Sequence, residues 1–74
     1  MFLQKNRRLL LLKMLKEARL EQGMRQIDVA FALGRPQSYI AKVESGERKI
    51  DFIEVMDFCR VVRLDPGKLI KRLG

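Results

Sequence analysis

Apolar residues recur along this chain at spacings of three and four, the period of a helix, and no stretch has the sustained alternation of a strand. Five helices are predicted. The first covers residues 6–22, with Leu11, Leu12, Leu15, Ala18 and Arg19 on one face and Gly23 supplying the left-handed residue that ends it. The second covers residues 26–33 and is closed by Gly34. Pro36 presets the backbone at the start of the third, which Gly46 ends. Asp51 caps a fourth that extends to about Arg63, and Asp65-Pro66 opens a short last helix carrying Leu69, Ile70 and Leu73. No repeat, linker or low-complexity stretch interrupts this order, so residues 1–74 are expected to form one all-α bundle.

The third helix has two unlike edges. With Gln37 at the origin and about 100° per residue, Tyr39, Ile40 and Val43 cluster on one side, while Gln37, Ser38, Ala41, Lys42 and Ser45 share the opposite arc. Nothing on that outer arc is both bulky and apolar. A helix that buries one stripe and offers Gln, Ser and Lys outward is shaped to enter a major groove, where base edges present acceptors and amines. The second and third helices, joined by a three-residue turn, must cross closely at about 90–120°, and a small residue at Ala30 permits it. By spacing alone the pair also fits an ordinary helical hairpin.

Two charges are out of place on this pattern. Arg19 lies on the apolar arc of the first helix, and Glu44 lies beside Ile40 at the border of the buried stripe of the third. A partly buried guanidinium facing a carboxylate is tolerable only when paired and hydrogen-bonded. The two are expected to pair and to set the angle at which the third helix leaves the core; otherwise Arg19 extends to solvent and Glu44 is simply exposed.

Composition narrows the chemistry. A domain of 74 residues buries only about 60% of its unfolded surface, so dimerisation is a natural supplement. A hydrophobic content of 47% argues against disorder. His is absent and Cys59 stands alone, which excludes a zinc finger, a Cys-His or Ser-His catalytic arrangement and a disulfide framework. No enzyme activity, metal or cofactor is therefore expected. Lys5, Arg7 and Arg8 followed by Leu9 to Leu12 imitate the start of a signal peptide, but Lys13, Lys16 and Glu17 cut the apolar run. No export signal or membrane span is expected, and the location read from this is cytoplasmic.

The net charge of +7 points toward a polyanion, with an uneven distribution. Residues 1–25 carry seven cations against two acids, whereas residues 26–49 carry four against three. The basic region thus lies largely outside the third helix. Within residues 1–8, a candidate N-terminal arm, Lys5, Arg7 and Arg8 either bind phosphates together with Lys13 or form a solvated helix face. Positive charge alone equally permits RNA, a membrane surface or an acidic protein.

On the fourth helix, Phe52, Val55, Met56, Phe58, Cys59 and Val62 form a core-facing stripe, in which Cys59 reads as a buried structural thiol. Ile53, Val61 and Leu64 fall on the charged half. With Ile70, Leu73, Phe2 and Leu3 they exceed what so small a domain can bury. Scattered exposed apolar residues are normal, but the expectation is a homodimer interface at the fourth helix and the C-terminal one, formed by Ile53, Val61, Leu64, Ile70 and Leu73. Two third helices would then stand about 34 Å apart, one turn of DNA.

Residues 24–34, Met-Arg-Gln-Ile-Asp-Val-Ala-Phe-Ala-Leu-Gly, and residues 35–48, Arg-Pro-Gln-Ser-Tyr-Ile-Ala-Lys-Val-Glu-Ser-Gly-Glu-Arg, resemble the helix-turn-helix of the Cro and cI phage-repressor family, also called the XRE family. The resemblance covers roughly residues 12–70. It implies a compact five-helix, lambda-repressor-like domain that binds double-stranded DNA, usually as a homodimer on a two-fold symmetric operator, to regulate transcription. By position, Gln26 matches a glutamine that holds a phosphate, and Gln37, Ser38, Ala41 and Lys42 match base-facing positions. Arg19 and Glu44 match a pair that ties the first helix to the third. Pro36 departs from the Ser or Thr common there, which removes a capping hydrogen bond.

Side-chain chemistry suggests the same division. Gln37 is suited to a bidentate pair with adenine, Lys42 to guanine acceptors, and Ser38 to a base or a phosphate. Arg25 and Gln26, at the start of the second helix, are expected to grip phosphates, as are Arg35, Arg48 and Lys49 in the loops flanking the third unless they are merely solvated. Within the resemblance, an antitoxin with a toxin partner and a restriction-modification controller remain open, and outside it a protein-interaction module with only nonspecific nucleic-acid affinity. A DNA-bound protein of this kind is expected at the nucleoid.

Overall fold

The computed structural model describes residues 2–74, with side chains from residue 7 onward. Among the described residues five helices follow one another without a strand: α1 (Phe2–Glu21), α2 (Gln26–Leu33), α3 (Gln37–Ser45), α4 (Phe52–Val62) and α5 (Pro66–Leu73). The first begins at Phe2 rather than near residue 6, because the Leu, Gln, Lys and Arg that open the chain are all good helix formers and nothing there breaks the helix. Arg7 and Arg8, assigned to a candidate arm, accordingly stand on a helix. Arg8 Nη2 donates to the carbonyl of Gly46 at 2.9 Å, which ties α1 to the end of α3. The side chains of Phe2, Leu3 and Lys5 lie outside the described residues.

The turn between α2 and α3 follows from one dihedral. Gly34 adopts φ 67°, and the amides of Gly34 and Arg35 turn back to the carbonyls of Phe31 and Ala30 at 3.1 and 2.9 Å. A Cβ at Gly34 would meet nothing within 4 Å, so glycine is required there by conformation and not by space. Arg63 closes α4 with the same left-handed geometry, φ 58°, while carrying a side chain. A non-glycine residue in that region is disfavoured by about 1–2 kcal/mol, against which glycine's greater freedom in the unfolded chain weighs about 0.4–1 kcal/mol. Arg63→Gly is therefore expected to raise the melting temperature by a few degrees in a thermal scan. A lower value would show that the Arg63 side chain contributes more than its backbone geometry costs.

The core is assembled from every helix: Leu12, Leu15 and Ala18 of α1, Val29 and Ala30 of α2, Ile40 and Val43 of α3, Phe58, Cys59 and Val62 of α4, and Leu69 of α5. Ala30 is wholly buried, and α2 and α3 pack directly against each other. On α4, Val55, Phe58, Cys59 and Val62 share one arc, and Asp51 and Glu54 close its first turn by exchanging backbone-to-carboxylate hydrogen bonds of 2.8 and 3.0 Å. Phe52, expected in that stripe, is instead 68% exposed. It sits about 70° from the centre of the buried arc and on the first residue of the helix, where no neighbouring element covers it. Met56 is only half-buried for the same angular reason. Val61, Leu64 and Leu73, expected on an outer surface, are partly buried against this core, whereas Ile53 and Ile70 are exposed.

Candidate nucleic-acid interface

Along α3 the inner residues Tyr39, Ile40 and Val43 are buried, Gln37, Ser38 and Lys42 are exposed, and Ala41 is half-buried between the two edges. Gln37 is the first residue of the helix. Pro36 precedes it as an extended N-cap with φ −67° and offers no side-chain cap, so α3 begins with an outward end of backbone amides. Gly46 ends it at φ 84°.

Behind this edge runs a chain of hydrogen bonds from the core to the surface. Arg19 grips both carboxylate oxygens of Glu44, from Nε at 2.6 Å and Nη2 at 3.0 Å, and donates from Nη1 to the Met24 carbonyl at 2.8 Å. Both side chains are more than nine-tenths buried. Gln26 Nε2 donates to Glu44 Oε1 at 3.0 Å, and Gln26 Oε1 accepts from Gln37 Nε2 at 3.2 Å. The polarity of this chain follows from its root. A carboxylate only accepts, so Gln26 must turn its amine toward Glu44 and its oxygen toward Gln37. Gln37 then presents outward a carbonyl oxygen and one remaining N–H, the two functions needed to read adenine. One N–H of Gln26 is also left over.

Arg35 and Arg48 form a second cluster with two residues that sequence reasoning left out of the site. Their guanidinium carbons stand 4.5 and 4.9 Å from the centre of the Tyr39 ring. Glu54 Oε2 accepts from Tyr39 Oη at 3.0 Å, Arg48 Nη2 at 2.7 Å and Arg35 Nη2 at 3.4 Å. The Asp51 backbone amide, foremost, and the hydrogen bonds from Tyr39 and Arg48 hold the Glu54 carboxyl below its ordinary range despite some desolvation. Burial, assisted by Glu54, pushes the Tyr39 phenol upward, and its hydrogen bond to Glu54 raises Arg48 further. Glu54 is therefore ionised and Tyr39 neutral at physiological pH. Two signals are present in the sequence: Asp51 and Glu54 have the spacing of a capping box, and Tyr39 is a polar tip on an apolar stripe.

The remaining site residues are separate from these clusters. Arg25, at the start of α2, is exposed and paired with Asp28, whose carboxylate accepts from its backbone amide at 2.7 Å and from its Nη2 at 3.0 Å. These contacts hold Asp28 below and Arg25 above their ordinary values. Lys49 is exposed in the loop after α3. Among the described residues no group of His, Cys, Asp and Glu is placed to hold a metal ion, and no helix is long and apolar enough to cross a membrane.

The family described as helix-turn-helix matches residues 15–69. The chain is also similar to the solved structure of an XRE-family like protein from Pseudomonas syringae pv. tomato str. DC3000, with 46% identity and a TM-score of 0.89 over 95% of this chain and 85% of that one. Among curated proteins no match is found. The matched span contains both α2 and α3 and the left-handed turn that joins them. With a structural likeness over nearly the whole chain, the chain belongs to the XRE family of helix-turn-helix, DNA-binding regulators.

Proposed function

We propose that residues 1–74 act as a single domain that regulates transcription in the cytoplasm by binding a palindromic operator as a homodimer. The observation that carries this reading is the outer edge of α3, where Gln37 stands at the tip of a hydrogen-bonded chain rooted in the buried Arg19 and Glu44. Such a chain limits the rotamers of a reading side chain before DNA arrives, which favours a defined base contact. In this reading Gln37, Ser38 and Lys42 contact base edges, and the Ala41 methyl packs against the groove floor, where a thymine methyl is its natural partner. Arg25, the spare N–H of Gln26, Arg35, Arg48 and Lys49 contact phosphates and set register. Arg19 and Glu44 fix the angle of α3.

Dimerisation is assigned to the α4 and α5 side. Ile53 and Ile70 are 64% and 62% exposed and supply the apolar contact, with the half-buried Val61, Leu64 and Leu73 at its margin. Two copies related by a two-fold axis would present two α3 helices to half-sites about 34 Å apart. Selection of bound sequences from a random duplex pool at physiological salt tests the whole reading. A palindromic pair of half-sites with centres about 10 base pairs apart, or a multiple of that, is expected. Recovery of no preferred sequence would overturn sequence-specific regulation, and recovery of an isolated half-site would overturn the dimer.

A further inference from the structure

Arg35 and Arg48 lie on either side of the α3 segment, one in the turn before it and one in the loop after it, yet both converge on a single oxygen of Glu54. The carboxylate is only 15% exposed and its other oxygen is occupied by the Asp51 amide, so it is fixed in place at the start of α4. The Tyr39 ring, on the inner edge of α3, lies against both guanidinium groups, and its hydroxyl donates to the same Glu54 oxygen that they contact. Arg48 Nε is buried without a partner. Its head group is thus held by the Glu54 contact and the ring even at the loss of one hydrogen bond. The outer edge of α3 itself carries one cation, Lys42, and Arg35 and Arg48 add charge at its two ends. Two arginines and one carboxylate sum to +1 where two unrestrained arginines would give +2.

We propose that Glu54 restrains Arg35 and Arg48 and thereby sets the sequence-independent part of the DNA affinity. It holds each guanidinium on Tyr39 and competes with phosphate for the same donors. The inference rests on the reading of Arg35 and Arg48 as phosphate-facing residues. Counterion release scales with the phosphates a protein neutralises, with a slope of about −0.9 in log Kobs against log salt for each. A carboxylate 2.7 Å from Arg48 Nη2 diminishes that neutralisation for any DNA sequence.

Glu54→Gln tests this. Glutamine keeps an acceptor for the Asp51 amide, and Gln is accepted at this position of a capping box, so α4 retains its start while the charge is lost. Binding is measured on a 20-base-pair duplex of random sequence over a range of salt, with a thermal scan as the check of folding. For each protomer, the variant is expected to gain about fivefold in affinity at 0.15 M salt and a slope steeper by about 0.9. Arg35→Ala with Arg48→Ala is expected to shallow the slope, and Glu54→Gln added to that pair should then change nothing. An unchanged slope in the double arginine variant would refute the phosphate reading. A shallower slope there, with Glu54→Gln unchanged or weaker than wild type, would refute the role of Glu54 and leave the phosphate reading standing. Should Glu54→Gln fail to fold, Glu54→Asp draws the carboxylate back by one methylene and is expected to steepen the slope by a smaller amount; no steepening would equally refute the proposal.

Discussion

Glu44→Ala is expected to destabilise the protein by about 3–5 kcal/mol, the range for stranding one member of a buried ion pair. Glu44 accepts from Arg19 Nε and Nη2 and from Gln26 Nε2, and its side chain is 5% exposed. Removing it leaves a guanidinium that is 7% exposed with only the Met24 carbonyl as a partner. The domain has about 5–15 kcal/mol of total stability to lose from, so roughly a fifth or more disappears. At about 4–8 °C per kcal/mol for a domain of this size, the melting temperature should fall by more than about 12 °C. Replacing both partners at once, Arg19→Met with Glu44→Leu, should recover most of that loss, because no charge remains to be desolvated. A Glu44→Ala melting temperature within a few degrees of wild type would mean that Arg19 finds water instead. The exposed pair of Arg25 and Asp28 provides the contrast: Arg25→Ala breaks it while Asp28 keeps its bond to the backbone amide of residue 25, and the melting temperature should be almost unmoved.

Helix order and most boundaries were legible because local chemistry sets them. Gly34 and Gly46 mark left-handed ends, Asp51 and Asp65 cap, and Pro66 opens a helix, none of which needs knowledge of the tertiary fold. The two ends of the apolar pattern were less legible. Periodicity reports which arc of α4 faces inward, but Phe52 is exposed because of where the helix begins relative to its neighbours, which periodicity does not contain. Val61, Leu64 and Leu73 looked surplus on a helical wheel for the same reason, since a wheel does not show how far a neighbouring helix reaches around its side.

The site divides similarly. Arg19 and Glu44 stand out in the sequence because each is a charge on an apolar stripe, and the cost of burying one alone points to another. The extension of that pair through Gln26 to Gln37 does not stand out, because glutamine is unremarkable on either face and only the packing of α2 against α3 brings the two amides together. Arg35 and Arg48 read as two unrelated loop charges. Their shared acceptor lies 19 and six residues further along, on another helix, and no periodicity connects them. The exposed edge of α3 is therefore more legible in the sequence than the contacts that join Arg35 and Arg48 to Glu54.

Gln37→Ala is expected to produce the largest change in DNA recognition. A good bidentate contact to a base is worth about 1–3 kcal/mol of discrimination, and a homodimer on a palindrome makes the contact twice. The loss on the selected operator is then about 2–6 kcal/mol, or roughly 30-fold to 10⁴-fold in affinity. Random duplex DNA should be bound as before, because Gln37 carries no charge and contributes nothing to counterion release. Folding should also be preserved, since Gln37 is exposed and its one bond, to Gln26, lies at the outer end of the chain whose inner bonds to Glu44 remain. That makes it a cleaner probe than Glu44→Ala, in which lost binding cannot be separated from lost fold. Gln26→Ala provides the matching intermediate: it leaves Gln37 in place but unsupported, so discrimination should weaken by less than in Gln37→Ala. Lys42→Ala should combine both effects, reducing preference at its own base position and shallowing the salt slope through its charge. An equal loss on operator and random DNA for Gln37→Ala would show that this edge of α3 grips the duplex without reading it.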